Sequence, residues 1–424
     1  VSAGEPAVPQ DGSATGSLPR PFRRLVWAWS SSLTGDGLRV VAVPLAAVAI
    51  DPSPGAVALV AAASSLPWLL VAVPAGALVD RWNPIRVMAA AHVVRAALAV
   101  VLAVLLFLDH ASIPALCVFA FAMTAAETFT DGAAQSLMVR LVPGRALERA
   151  NSRFVTTETL ALDLAGPVLA GVLVAVAPGL ALAVCGGCFL LAAVFVGLVR
   201  PGTEAMAPVA PGTPQAGLST WGRIRQGMSV LWRDRVLRVL VVTVAVLALA
   251  NGTTDAVLVL YGTQTLGFSE LFYPSLLVAY SIGTLTAAQL VPRVVERYRG
   301  GPVMLLALIA MGVVFVLLGL FPGMAQALLL YAALGVAQGS WNVLSATRRQ
   351  RRTPLDLIAR VSSAFRVLAW GALPAGAALG GFVAHEVSVP AVFVVAGVIV
   401  LLLGAVVGRS FLEVERARLS TPPG

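Results

Sequence analysis

Nine ionisable side chains interrupt the apolar stretches of this 424-residue chain: Asp36, Arg39, Arg95, Glu127, Asp131, Glu158, Asp163, Asp255 and Arg366. A charge held against hydrocarbon near the middle of a span costs ~3 kcal/mol, so leaving all nine in lipid would cost on the order of 25 kcal/mol. They must face a cavity or one another. Six acids against three arginines leave this set with excess negative charge when all are ionised, so some acids are expected to carry protons part of the time. Proton carriage and recognition of a charged organic group are the chemistries these residues offer.

Asp36 lies about ten residues into the first apolar run, close to the bilayer middle at ~1.5 Å per residue, and is the first candidate for a proton carrier. Arg39, three residues on, shares its helix face, either to hold Asp36 ionised until a proton or substrate competes or as a permanent structural partner. Glu127 and Asp131 lie four apart on one face, and Gln135 continues the stripe. Two neighbouring carboxylates resist joint ionisation, which suits proton binding, a cationic substrate group, or pairing with Arg95. Glu158 and Asp163 are five apart and on an α-helix would diverge by about 140°. Asp163 is the deeper of the two.

In the second half of the chain Asp255 follows the polar break Asn251-Gly252-Thr253-Thr254. Gln289, Gln338, Trp341 and Asn342 offer uncharged hydrogen bonding and an aromatic face, for substrate or for helix packing. Arg366 is near enough to a span end to snorkel, and His92, one turn from Arg95, reads as a core hydrogen bond. Cys185-Gly186-Gly187-Cys188 has redox spacing but lies inside a span without a neighbouring base, which reads as small-residue packing. No cluster has metal-ligand spacing and no Ser or Cys nucleophile has an evident base, so neither an enzyme nor a metal or cofactor is expected.

The elements that hold these residues follow from composition. Hydrophobic residues make up 58% of the chain and charged ones 12%, with a mean hydropathy of +0.90. A soluble domain carries about 25% charged residues, which excludes that class. Runs of span length lie near 26–50, 55–79, 86–108, 112–138, 154–177, 179–199, 236–261, 271–292, 302–321, 324–346, 361–384 and 389–408. The basic residues are all arginine, so a phosphate loop's lysine is absent and ATP-driven pumping by this chain alone is not expected. Of the 29 arginines, 26 fall in alternate connections and tails, and the opposite connections hold none. Positive residues stay cytoplasmic, so both termini are expected inside, and the net charge of +9 reflects topology and not a nucleic-acid partner.

The fold class expected is therefore an all-α integral membrane protein, with 12 transmembrane helices in two pseudo-symmetric six-helix bundles. The expected units are a disordered cytoplasmic tail (1–24), a first bundle (25–199), a linker (200–235), a second bundle (236–411) and a cytoplasmic tail (412–424). In the linker, Trp221, Ile224, Met228, Leu231 and Trp232 fall on one helix face opposite Arg223, Arg225 and Arg233, the pattern of an interfacial helix. A cleaved leader is not expected, because the first apolar run is too long and Asp36 and Arg39 interrupt it.

Two bundles are expected because the chain repeats. At a shift of 210 residues Ala165-Gly166-Pro167-Val168-Leu169-Ala170-Gly171 lies over Ala375-Gly376-Ala377-Ala378-Leu379-Gly380-Gly381. Ser152 lies over Ser362, and at a shift of 212 Leu78 to Arg81 lies over Leu290 to Arg293. Parallel six-helix halves imply an axis along the membrane normal, with a pathway between them.

From about residue 20 to 412 the chain resembles the major facilitator superfamily. Gly76-Ala77-Leu78-Val79-Asp80-Arg81 with Arg86 is similar to that superfamily's gating loop between helices two and three, with Asn83 and Pro84 in place of its second glycine. Gly166, Pro167 and Gly171, with Gly376 and Gly381 in the repeat, resemble its helix-packing motif. Ala126-Glu127 to Asp131 and Gln135, Glu148 to Ser152, Arg360 to Ser363 and Trp370-Gly371 resemble the efflux branch of transmembrane secretion effectors, near siderophore and macrolide exporters. Membership implies secondary active export of a small amphipathic compound by alternating access, commonly proton antiport, from a monomer in the plasma membrane. Its partners would be a small-molecule substrate, protons and the lipid bilayer. Proton-coupled uptake needs no further residues and stands as the alternative, followed by a membrane sensor that binds without transporting.

Overall fold

A computed structural model of the chain describes residues 18–71, 74–75, 82–143, 146–199, 220–298, 300–353 and 358–419, and among them the only regular structure is helical. The first half comprises α1 (Arg20–Ile50), α2 (Pro54–Leu70), α3 (Pro84–Phe107), α4 (Ile113–Leu141) and α5 (Leu147–Glu158). A π-helical turn (Thr159–Ala165) then joins α5 to α6 (Gly166–Val176), and α7 (Pro178–Gly197) completes the half. The second half comprises α8 (Thr220–Arg233), α9 (Arg235–Asp255), α10 (Pro274–Tyr298), α11 (Gly300–Leu320), α12 (Met324–Arg352), α13 (Ile358–Gly371), α14 (Leu373–Glu386) and α15 (Val389–Leu419).

Helix starts follow local chemistry. Ser53, Asn83 and Ser112 accept hydrogen bonds from the first free N–H groups of α2, α3 and α4, each with proline in the first helical positions where a missing N–H is harmless. Asp234 caps α9 in the same way. Eleven helices are long and apolar enough to cross a bilayer among the described residues. The seventeen-residue α2 falls short, and most of residues 72–79, which the sequence reading joins to it, lie outside the described residues, as do Gly76, Asp80 and Arg81. Arg86 is exposed on the first turn of α3.

Two boundaries differ from expectation. Residues 20–24, assigned to a disordered tail, form the first turn of α1, because Phe22 is wholly buried and stacks on Phe154 of α5 at 5.7 Å between ring centroids. Trp29 also stacks on Phe154, at 5.2 Å. At the far end α15 continues through residues 412–419. The linker's amphipathic stretch is helical as α8, with Leu231 buried.

The two halves use the same packing device. A Cβ on Gly166 of α6 would stand 2.6 Å from the Cα of Gly37 in α1, closer than side chains approach, so these backbones touch. In the second half a Cβ on Gly252 of α9 would stand 2.5 Å from the Leu373 carbonyl oxygen, and Gly376 of α14 lies against the Leu249 carbonyl. The repeated glycines 166 and 376 therefore make corresponding contacts in corresponding helix pairs.

Gly166→Ala should lower unfolding free energy by about 1–3 kcal/mol, the usual penalty of overpacking. Gly187→Ala, where nothing lies within 4 Å, should be neutral or slightly stabilising because alanine favours helix. Thermal unfolding of the two purified variants in one detergent checks the contrast.

Candidate functional site

The ionisable residues of the first half meet in one chain of alternating charge. Arg95 of α3 is wholly buried; its Nη1 donates to Ser32 Oγ at 3.1 Å and its Nη2 to Asp36 Oδ1. The same Asp36 oxygen accepts from Arg39 Nη2 at 3.4 Å, and that nitrogen donates to Glu127 Oε2 of α4 at 2.8 Å. Arg39 Nη1 adds Thr124 Oγ1 at 3.4 Å. Two guanidiniums and two carboxylates thus form a formally neutral row crossing α3, α1 and α4. Its accessible end is Glu127, 20% exposed against 4% for Asp36.

Several sequence expectations change here. Arg95 pairs with Asp36 and not with Glu127 or Asp131, because Asp36 of α1 stands between α3 and α4 and takes the guanidinium first. His92 makes no core hydrogen bond: neither ring nitrogen has a partner among the described residues. Its ring stacks on Phe189 of α7 at 6.3 Å, while the Arg95 guanidinium sits 4.0 Å from the same ring's centroid. Cys185 is a free thiol donating to the Gly35 carbonyl at 3.2 Å, in keeping with packing.

Glu158 and Asp163 do not diverge as an α-helix would require. The turn after Glu158 is π-helical, with Gly166 N–H bonded to the Ala161 carbonyl five residues back. That wider winding brings residues five apart onto one face, and the two carboxylates interact electrostatically. Pro167 has no N–H to offer the Asp163 carbonyl four residues earlier. The freed oxygen accepts from Ser281 Oγ of α10, in the opposite half, at 3.3 Å.

Between the halves lies a cavity of about 220 Å³. Arg39, Val43 and Val60 line it from the first half, with the hydroxyls of Ser64 and Ser65; Gly252, Asp255 and Leu373 line it from the second. Asp255 has no hydrogen-bonded or ion-paired partner among the described residues. Its charge acts on Tyr273, Tyr280 and Tyr331, and Tyr280 also feels Asp163 across the seam. Sequence reasoning passed over these tyrosines, since each stands alone in an apolar run and its spacing carries no signal.

The remaining candidates are less central. Asp131 shares the electrostatic field of Glu127 but has no bonded partner among the described residues. Gln338 Nε2 donates to Asn342 Oδ1 at 3.3 Å along one face of α12. Trp341 does not offer an aromatic face to substrate: it is wholly buried and edge-on to Phe411 at 5.8 Å. The Arg366 side chain lies outside the described residues.

One end of the seam is tightly closed. A Cβ on Gly171 of α6 would stand 2.9 Å from Pro274 Cγ of α10, and its repeat partner Gly381 of α14 lies against Ala58 of α2. Toward the other end Trp68 of α2 stacks on Trp370 of α13 at 5.0 Å.

This architecture has known counterparts. The sequence profile of the Major Facilitator Superfamily matches residues 28–375. The multidrug efflux pump Tap of Mycolicibacterium fortuitum is 28% identical over 398 residues, covering 91% of this chain and 94% of its own length. The pump of the same name from Mycobacterium tuberculosis is 26% identical over 413 residues, covering 92% and 93%. Among solved structures, an inward-facing bacterial homologue of the iron transporter ferroportin superposes with a TM-score of 0.73 at 17% identity, covering 93% of this chain and 99% of that one. The nucleoside transporter NupG superposes at 0.70 with 14% identity over 93% and 99%. At these identities the structures share the fold.

Removing one member of a buried pair strands the other charge, at about 3–5 kcal/mol, whereas removing both is far milder. Asp36→Leu should therefore destabilise the folded protein severely, and Asp36→Leu with Arg95→Met should recover most of the loss. A double-mutant cycle read by unfolding in detergent tests the pairing, and additive effects would contradict it.

Proposed function

Because the chain belongs to the Major Facilitator Superfamily, and is thus a multi-pass membrane transporter rather than an enzyme, we propose that it exports a small amphipathic organic compound by alternating access with proton antiport. The observation that carries this reading is the cavity between the halves, apolar-walled, with Arg39 on one side and an unpaired Asp255 on the other. An apolar body suits the valine walls, and a basic group on the compound suits Asp255 with its tyrosine neighbours. Antibiotic-, drug- or siderophore-like molecules have this character, and the names of the relatives from both mycobacterial species favour outward movement.

In this reading the chain has twelve spans, both termini are cytoplasmic, and the protein works as a monomer in the plasma membrane. The arginine alternation supports the orientation. The closed end of the seam at Gly171 and Gly381 then faces outward.

The proton acts on Glu127. Asp36 is paired with two arginines and 4% exposed, whereas Glu127 has one arginine and is 20% exposed. Protonating Glu127 frees one bond of Arg39, whose side chain lines the cavity, so proton binding and substrate binding compete through one guanidinium. One-for-one exchange of a proton for a singly protonated amine moves no net charge and draws on the pH difference alone; each net charge moved inward through 100 mV would add ~2.3 kcal/mol, roughly a fiftyfold gradient of substrate.

Inside-out vesicles with an acidified lumen should accumulate a fluorescent quaternary ammonium compound, which ion trapping cannot concentrate, and a protonophore or omission of the protein should abolish the accumulation. Release from such vesicles, or indifference to the gradient, would overturn export by antiport. Glu127→Gln should reduce pH-driven accumulation at least tenfold while substrate counterflow persists, and wild-type pH-driven accumulation would remove Glu127 from this role. Asp36→Asn in the same assay distinguishes the two carboxylates: counterflow and pH-driven accumulation should fall together, because the whole charge row loses its centre.

A further inference from the structure

A second cavity, of about 300 Å³, lies far from the first and shares no lining residue with it. It is an open groove between the first turns of α1 and the middle of α5, lined by Arg23, Trp27 and Ser30 on one side and Arg153 and Thr157 on the other. Arg23 and Arg153 are both exposed, and neither guanidinium has an ion-pair or hydrogen-bond partner among the described residues. Their neighbour Arg24, by contrast, is committed to the Leu198 carbonyl at 2.5 Å.

Position along the span identifies what faces this groove. Arg23 lies in the first turn of α1, and the apolar stretch of that helix follows at once, so the two guanidiniums stand at headgroup depth. Trp27, 59% exposed and stacked on Phe195 of α7 at 6.4 Å, marks the boundary layer where amphipathic rings settle. Val26 and the Trp27 ring then continue the groove into the depth of the acyl chains. Two unpaired cations from different helices, a free hydroxyl at Ser30 and an apolar floor are complementary to a phosphodiester bearing acyl chains.

We propose that this groove is a specific binding site for the headgroup of an anionic phospholipid. The phosphodiester bridges Arg23 and Arg153, Ser30 donates to one of its oxygens, and the first acyl carbons cover Val26 and Trp27. A free phosphate would satisfy the cations but leave the tryptophan and the apolar floor uncovered. The bound lipid ties α1 to α5 one turn from the stacked Phe22, Phe154 and Trp29, so it braces the start of the first half.

Native mass spectrometry of the delipidated protein, titrated with phosphatidylglycerol or phosphatidylcholine, tests the site. One phosphatidylglycerol adduct should be retained at least five times more strongly than phosphatidylcholine. Arg23→Gln with Arg153→Gln should abolish that preference, whereas Arg293→Gln with Arg297→Gln, which removes equal charge elsewhere, should preserve it. Millimolar inorganic phosphate should not displace the adduct. For the wild-type protein, phosphatidylglycerol should raise the melting temperature and phosphatidylcholine should not, a readout independent of whether the variants fold. Equal retention of the two lipids, an unchanged preference in the Arg23/Arg153 variant, or displacement by phosphate would each overturn the proposal.

Discussion

The buried bond between Arg95 and Asp36 is the constraint on which the first half depends. Taking a guanidinium fully out of water costs several kcal/mol unless a carboxylate meets it with good geometry. Arg95 is fully buried, so α3 and α1 are fixed in rotation relative to one another wherever this bond persists. Ser32 and the Phe189 ring complete the socket from α1 and α7. Arg39 then extends the row to α4, and one helix face of α1 sets the orientation of three neighbours.

A row of alternating charge has a property that a single pair lacks. Its interior member, Asp36, is shared by two cations, whereas its end member, Glu127, holds one. Disturbing the end rearranges one bond of Arg39, while disturbing the interior exposes a buried cation. The structure thus separates a rigid part of the row from an adjustable one. The adjustable part borders the cavity through Arg39.

Much of this was legible in the sequence, because the costs involved are large and local. Nine charges in apolar runs can only turn inward, so Asp36, Arg39, Arg95 and Glu127 announce a buried cluster before any fold is known. The pairing was not legible: Arg95 with Asp36 rather than with Glu127 depends on which helix stands between which, a long-range fact without a periodic signature. The face shared by Glu158 and Asp163 was misread because α-helical winding was assumed where seven residues wind as a π-helix. Trp341 was left between substrate and helix packing, and its burial against Phe411 decides for packing, which the sequence alone does not reveal.

The two halves are alike in packing and unlike in charge, and the contrast bears on how they move against each other. Glycines 166 and 376 make matched contacts within their halves, and glycines 171 and 381 make matched contacts across the seam. Yet the ionic row belongs wholly to the first half, while the second contributes Asp255 with tyrosines around it. Ionic bonds internal to one half do not resist sliding of that half past the other. What crosses the seam is cheaper to break: backbone contacts at glycine, the Trp68–Trp370 stack, and a hydroxyl on the carbonyl that Pro167 leaves free. The ionic row stiffens the first half and weaker contacts join it to the second, which is the division of energies that the proposed rocking motion would require.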